Sequence, residues 1–217
     1  MCGICGIYNF AGASPADAHL LGQMNATLRH RGPDAGGIHV DGCAGLAARR
    51  LAIIDLAHGD QPMVSDDGDV CVVQNGEIFN HRRLRAELER DGVRFRTECD
   101  TEVLLHLYRH DGPRFVNRLR GMFAVAVWDR RERRLLLARD PFGIKPLYYE
   151  VDGGCLRFAS ELKALLARPS FSREVDREAL HAFLAFNSIP APLTIFRAAR
   201  KLAAGHLLTC SERGVSI

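Results

Sequence analysis

The stretch that decides the fold is residues 122–138, MFAVAVWDRRERRLLLA. Seven apolar residues are followed by a short charged tract and then four more apolar residues. A half-buried strand, a solvated turn and a second strand is the arrangement that buries both runs, so the segment predicts a β-hairpin. Residues 147–151 and 156–159 repeat the pattern around Asp152-Gly153-Gly154, which predicts a second antiparallel pair. Short strands are also expected at 3–10, 37–40, 44–49, 70–74 and 207–209.

Helices fall between these strand blocks instead of alternating strictly with them. Ser14-Pro15 reads as an N-cap and first helical residue, with Leu20, Leu21, Met24 and Leu28 on one face. Residues 80–89, 101–110, 161–166 and 176–186 are the other predicted helices; in the last, Leu180, Phe183 and Leu184 form an apolar side. Residues 55–68 read as a loop. Buried, mainly antiparallel sheets with helices against them make an α+β protein built in layers. A composition change after Arg168-Pro169-Ser170 divides the chain into a core, 1–168, and a C-terminal extension, 169–217.

The 217 residues carry a net charge of +3, which is too small to argue for a nucleic-acid partner. No uncharged apolar run approaches the length of a membrane span, about 18 residues or more, and neither a membrane partner nor a secretory signal is expected. Seven cysteines, an odd number, fit reduced thiols and a cytoplasmic location better than a disulfide framework. Cys2 and Cys5 form a lone C-x-x-C. A metal or redox module built on that pair is one reading, but no second C-x-x-C pair accompanies it, and no metal is expected.

Several residues carry chemistry. Cys2 follows Met1 directly, and after methionine removal it would combine a thiol with its own α-amine. Such an amine, with an ordinary pKa of about 7.7–8.0, can take the thiol proton and return it to a leaving group. Alternatively, Cys2 is a small apolar residue at a strand start. Asn75-Gly76 is either a tight turn between strands or a pair of donors for an oxyanion. Arg49 or Arg50 could fork onto a carboxylate, or lie solvated at a strand end. Asp100 could cap a helix or hold a substrate ammonium group.

Seven motifs in order resemble one family: Met1-Cys2-Gly3-Ile4-Cys5-Gly6-Ile7, Arg29-His30-Arg31-Gly32-Pro33-Asp34, Arg50-Leu51-Ala52-Ile53-Ile54-Asp55, Asn75-Gly76-Glu77-Ile78-Phe79-Asn80, Asp100-Thr101-Glu102, Gly121-Met122-Phe123-Ala124, and the run Arg139-Asp140-Pro141-Phe142-Gly143-Ile144-Lys145-Pro146-Leu147-Tyr148. The set resembles the glutaminase domain of glutamine-dependent asparagine synthetases, a class II glutamine amidotransferase domain of the N-terminal nucleophile type. The resemblance runs from Met1 to about Thr209, and the second and seventh motifs favour this branch over the glucosamine-phosphate synthase branch.

The resemblance implies a four-layer αββα sandwich of two mainly antiparallel sheets. It implies that Cys2 attacks the glutamine side-chain amide, that Asn75 and Gly76 form the oxyanion hole, that Arg50 binds the α-carboxylate and Asp100 the α-amine, and that Glu77 and the backbone around Ile53 line the pocket. Glutamate and ammonia would be the products. The family continues into an ATP-dependent synthetase domain, but no S-G-G-x-D-S loop occurs here. ATP and Mg²⁺ are therefore expected only for that second domain or a partner subunit, and this domain needs no cofactor. Residues 176–202 resemble the lead-in to it, and an exposed, sticky surface is expected at Phe183, Phe186 and Ile189. Homodimer formation is compatible with the resemblance. A contrasting reading is a catalytically idle docking or regulatory domain of a synthetase complex.

Overall fold

Twelve strands pair into two six-stranded sheets, and every pair among the described residues is antiparallel. The computed structural model describes residues 1–12 and 14–217. The strands are β1 Gly3–Asn9, β2 Ala35–Asp41, β3 Ala44–Arg50, β4 Met63–Val64, β5 Val70–Ile78, β6 Gly121–Asp129, β7 Arg134–Arg139, β8 Tyr148–Asp152, β9 Cys155–Ala159, β10 Ala199–Lys201, β11 Leu207–Ser211 and β12 Gly214–Ser216. The helices are α1 Ala18–Thr27, α2 His81–Arg90, α3 Asp100–Asp111, α4 Leu162–Leu165 and α5 Arg177–Phe186, with a 3₁₀ segment at Gly112–Arg118. The first sheet runs β10-β8-β9-β1-β3-β2, and the second runs β12-β11-β7-β6-β5-β4.

Strand parity builds the layers. Because side chains alternate across a strand, Ile4 and Tyr8 of β1 face one way while Cys5 and Ile7 face the other. In β6, Ala124, Ala126 and Trp128 share the face of Ile4 and Tyr8, whereas Phe123, Val125 and Val127 turn away. The first set packs between the sheets, where the Tyr8 and Trp128 rings lie 4.9 Å apart. Cys5, Ile7 and Ala47 pack under Leu21 and Met24 of α1, Leu28 at its C-cap and Leu165 of α4. Val125, Val127 and Leu136 pack under Leu84 and Leu88 of α2 and Val103, Leu104 and Leu107 of α3. Three apolar clusters between four layers give the αββα order.

The hairpin at 122–138 is β6–β7, with Asp129 opposite Arg134. Three local expectations are corrected. α1 starts at Ala18, and its N-cap is Asp17, not Ser14. The Asn9 amide holds the Ser14 and Pro15 carbonyls, and Ala16 N–H bonds Gly42 O, so the chain stays extended until the Asp17 carboxylate can accept from Leu20 N. Residues 55–68 are not all loop: Met63–Val64 pairs with Val72 and Cys71. β5 does not turn at Asn75-Gly76; it runs on to Ile78, with Asn75 opposite Ala124 and Gly76 opposite Phe123. The segment 169–217 supplies β10 to one sheet and β11 and β12 to the other, and buries Leu202 and Leu208 in the inter-sheet core.

Candidate active site

At the ends of β1, β3 and β5 one cleft collects Cys2, Arg50, Ile53, Asn75, Gly76, Glu77 and Asp100, all seven residues singled out above. Strand parity explains the central pair. Cys2 shares the parity of Ile4 and Tyr8, and Asn75 that of Cys71 and Val73, so both point between the sheets. The same parity separates Cys2 from Cys5, which is buried on the opposite face under α1 and α4. A C-x-x-C along a strand therefore divides its thiols, and the dithiol reading fails on geometry. Among the described residues no group of three or more His, Cys, Asp or Glu is placed to hold a metal ion.

Cys2 is the one cysteine that is not fully buried. Burial pushes the thiols of Cys5, Cys71, Cys99, Cys155 and Cys210 up, Cys99 to about 11 and Cys210 to about 12, which keeps them protonated and unreactive. The Cys2 sulfur accepts a hydrogen bond from Leu51 N–H at 3.4 Å, and Arg31 Nε donates to the Cys2 carbonyl at 2.9 Å.

Asn75 is 0% exposed, yet neither its Oδ1 nor its Nδ2 has a hydrogen-bond partner among the described residues. An unpaired buried polar group costs about 1–3 kcal/mol. The amide lines the cleft with its hydrogen-bonding capacity unused. Beside it, Gly76 has φ +139°, and a Cβ there would lie 1.9 Å from the Met122 carbonyl oxygen, so only glycine continues the strand at this position.

Asp100 is not a helix cap: Cys99 occupies that position and Asp100 opens α3. Its buried carboxylate accepts from Gln74 Nε2 at 2.8 Å and Ile78 N at 2.9 Å. Thr101 Oγ1 and Gln61 Nε2 extend the network, which ties α3 to β5 and to the loop 51–62. Arg50 is wrapped by that loop. Its guanidinium donates to the carbonyls of Ile54, Asp55 and Leu56 and to the Asp60 carboxylate. Gly59 makes room for this, since a Cβ there would stand 2.3 Å from Arg50 Nη2. Asp55, at φ 51°, accepts from Glu98 N and His58 N, and these bonds hold its carboxyl below the usual range. Ile53 is largely exposed at the rim.

Residue reasoning did not single out Lys145, Met122, Gln61 or Thr101, which also line the cleft. Lys145 is 4% exposed, and its Nζ lies 3.1 Å from Met1 Sδ. It arrives from the 139–148 motif because Asp140 gathers Lys145 N and Phe123 N on one carboxylate oxygen.

A family model described as "Glutamine amidotransferase domain" matches residues 1–217. The chain belongs to that family. This amidotransferase domain is 42% identical over 216 residues to "Asparagine synthetase [glutamine-hydrolyzing] 1" of Bacillus subtilis (strain 168), covering 99% of this chain and 34% of that protein. It is 37% identical to "Asparagine synthetase [glutamine-hydrolyzing] 3" of the same organism, over all of this chain and 36% of the relative. The domain thus spans about a third of the length of these curated relatives. Its fold is that of the solved glutamine phosphoribosylpyrophosphate amidotransferase from B. subtilis, with a TM-score of 0.68 at 20% identity over 99% of this chain and 48% of that one. A structure described as the allosteric regulatory enzyme of purine biosynthesis gives 0.71 at 21% identity, with the same coverage.

Proposed function

We propose that this amidotransferase domain hydrolyses glutamine to glutamate and ammonia, and that the ammonia serves an ATP-dependent synthetase domain or subunit that amidates aspartate. The observation that carries the reading is the unpaired, fully buried Asn75 amide beside Gly76, facing the same inter-sheet cleft as the one accessible cysteine.

In this reading, with Cys2 at the mature N-terminus, its α-amine takes the thiol proton as Sγ attacks the glutamine side-chain carbonyl carbon. The oxyanion receives hydrogen bonds from Asn75 Nδ2 and Gly76 N–H, donors that need no reorganisation. The ammonium of the former base protonates the leaving nitrogen, the C–N bond breaks, ammonia departs and a γ-glutamyl thioester remains. Water, deprotonated by the same amine, adds to the thioester, and glutamate and the free thiol are released. Asp100, fixed by Gln74 and Ile78 N, receives the substrate ammonium. Arg50 offers the α-carboxylate a guanidinium whose orientation the Ile54, Asp55 and Leu56 carbonyls and the Asp60 carboxylate have set. Glu77 and the Ile53 backbone close the sides.

The relatives' names and the share of their length that this domain spans support the synthetase partner, as do residues 176–202. ATP and Mg²⁺ would be used by that partner; no residue of this domain is assigned to them. On α5, Leu180, Phe183, Leu184 and Phe186 are exposed, the last two at 75%, an apolar face suited to burial against it. No helix among the described residues is long and apolar enough to cross a membrane; a cytoplasmic location is part of the proposal. The test is ammonia release from glutamine by the chain beginning at Cys2. Turnover that Cys2→Ala abolishes is the expected result; equal turnover in both, or none in either, refutes it.

A further inference from the structure

A nucleophile at the end of a chain has a mechanical problem, because termini fray unless they are tied down. β1 begins only at Gly3, so the sheet ladder does not itself hold Cys2. The tie on its backbone is Arg31 Nε, which donates to the Cys2 carbonyl at 2.9 Å. Arg31 is a long, flexible side chain, 10% exposed, and needs an anchor of its own. Glu161 provides it: Arg31 Nη1 donates to Glu161 Oε1 at 2.9 Å.

Glu161 is held in turn from both sides. Its neighbour Ser160 exchanges two hydrogen bonds with Ile4, Oγ accepting from Ile4 N at 3.0 Å and N donating to Ile4 O at 2.8 Å, so the β9–α4 junction is locked to β1 two residues beyond Cys2. On the outer side, His30 Nε2 lies 2.9 Å from Oε1 and Lys163 Nζ 3.3 Å from Oε2. Burial pushes the Glu161 carboxyl up, but the hydrogen bonds from Arg31, His30 and Lys163 outweigh it and bring it down to about 2, so the anchor is charged near neutral pH.

We infer that Glu161 is a positioning residue for the nucleophile: it fixes the Arg31 guanidinium, which fixes the Cys2 carbonyl and so the direction of Sγ and the α-amine toward the Asn75–Gly76 oxyanion site. This rests on the glutaminase reading. Without the carboxylate, Arg31 is an uncompensated, nearly buried charge that turns toward water and releases Cys2. Glutamine recognition by Arg50 and Asp100 is untouched, so the defect belongs in kcat and not in KM.

The test is steady-state glutamine hydrolysis by the chain beginning at Cys2, wild type against Glu161→Met, Glu161→Gln, Arg31→Ala and the double variant Arg31→Ala/Glu161→Met. Methionine keeps the volume and loses the acceptor, whereas glutamine keeps an oxygen for Arg31. Expected is a fall in kcat of about 10- to 100-fold for Glu161→Met with KM within about twofold. Glu161→Gln should stay within about threefold, and Glu161→Met should add less than twofold to the loss in Arg31→Ala. A role in mere packing would move Met and Gln together. The inference is overturned if Glu161→Met keeps kcat within twofold, if the loss appears in KM, or if it is equally large with and without Arg31. An inactive wild type would remove the glutaminase reading itself, a different outcome from an active wild type indifferent to residue 161.

Discussion

Asp140 and Asn75 are both polar, both 0% exposed, and both sit against β6, yet the fold treats them in opposite ways. The Asp140 carboxylate accepts from four backbone N–H groups: Phe142 and Ile144 on one oxygen, Lys145 and Phe123 on the other. Nothing is left for a ligand, and the turn after β7 is built around it. The Asn75 amide has no partner among the described residues. A buried polar side chain with every bond made is architecture; one with none made is, in the proposed reaction, free to meet the oxyanion. Both lie in motifs of the family, and only their partners tell the two roles apart.

The sharpest way to break this contrast is to remove both side chains. Asn75→Ala should lower kcat for glutamine by about 10²–10³-fold, as loss of an oxyanion donor does. Its stability should change by no more than about 1 kcal/mol, since the cavity penalty is offset by removal of an unpaired amide. Asp140→Ala should cost about 3 kcal/mol or more, because four buried N–H groups lose their acceptor. Urea melts of the two variants check this; equal destabilisation would make Asn75 another structural residue.

Glu161 sharpens the contrast at a smaller scale, being a carboxylate at the protein edge with charged partners. Its folded value of about 2 lies below the ordinary 4.5, so it binds protons less readily in the folded chain than in the unfolded one. Its stabilisation is therefore complete above about pH 4.5 and is lost as pH falls toward about 2. The gap in melting temperature between wild type and Glu161→Gln should narrow steadily between about pH 5 and pH 3. A gap independent of pH would mean that the carboxylate charge adds nothing to the stability of this cluster.

The fold was legible in the sequence wherever burial writes a period of two. The 122–138 run and the 147–159 pair follow from which side chains must be buried. It was least legible where distant segments compete for local bonds. Ser14-Pro15 has good capping chemistry, but Asn9 and Gly42 hold that stretch extended. Asp100 also resembles a cap until β5 brings Gln74 and Ile78 N to its carboxylate. Lys145 and Gln61 reach the cleft only through the Asp140 turn and the Arg50 loop; Lys145 lies in a visible motif, but nothing local to either residue says that it faces the cleft. The motif around Arg31 was visible, but its partner Glu161 lies 130 positions away in sequence.

One measurement tests the central claim most directly: the intact mass of the chain beginning at Cys2 after exposure to a glutamine-mimicking diazoketone, beside its Cys2→Ala variant. The account predicts one adduct on the wild type, none on the variant, and protection by excess glutamine, because Cys2 is the accessible cysteine of the cleft that Asn75 and Gly76 line. A wild-type mass without adduct, or the same adduct on Cys2→Ala, would contradict it.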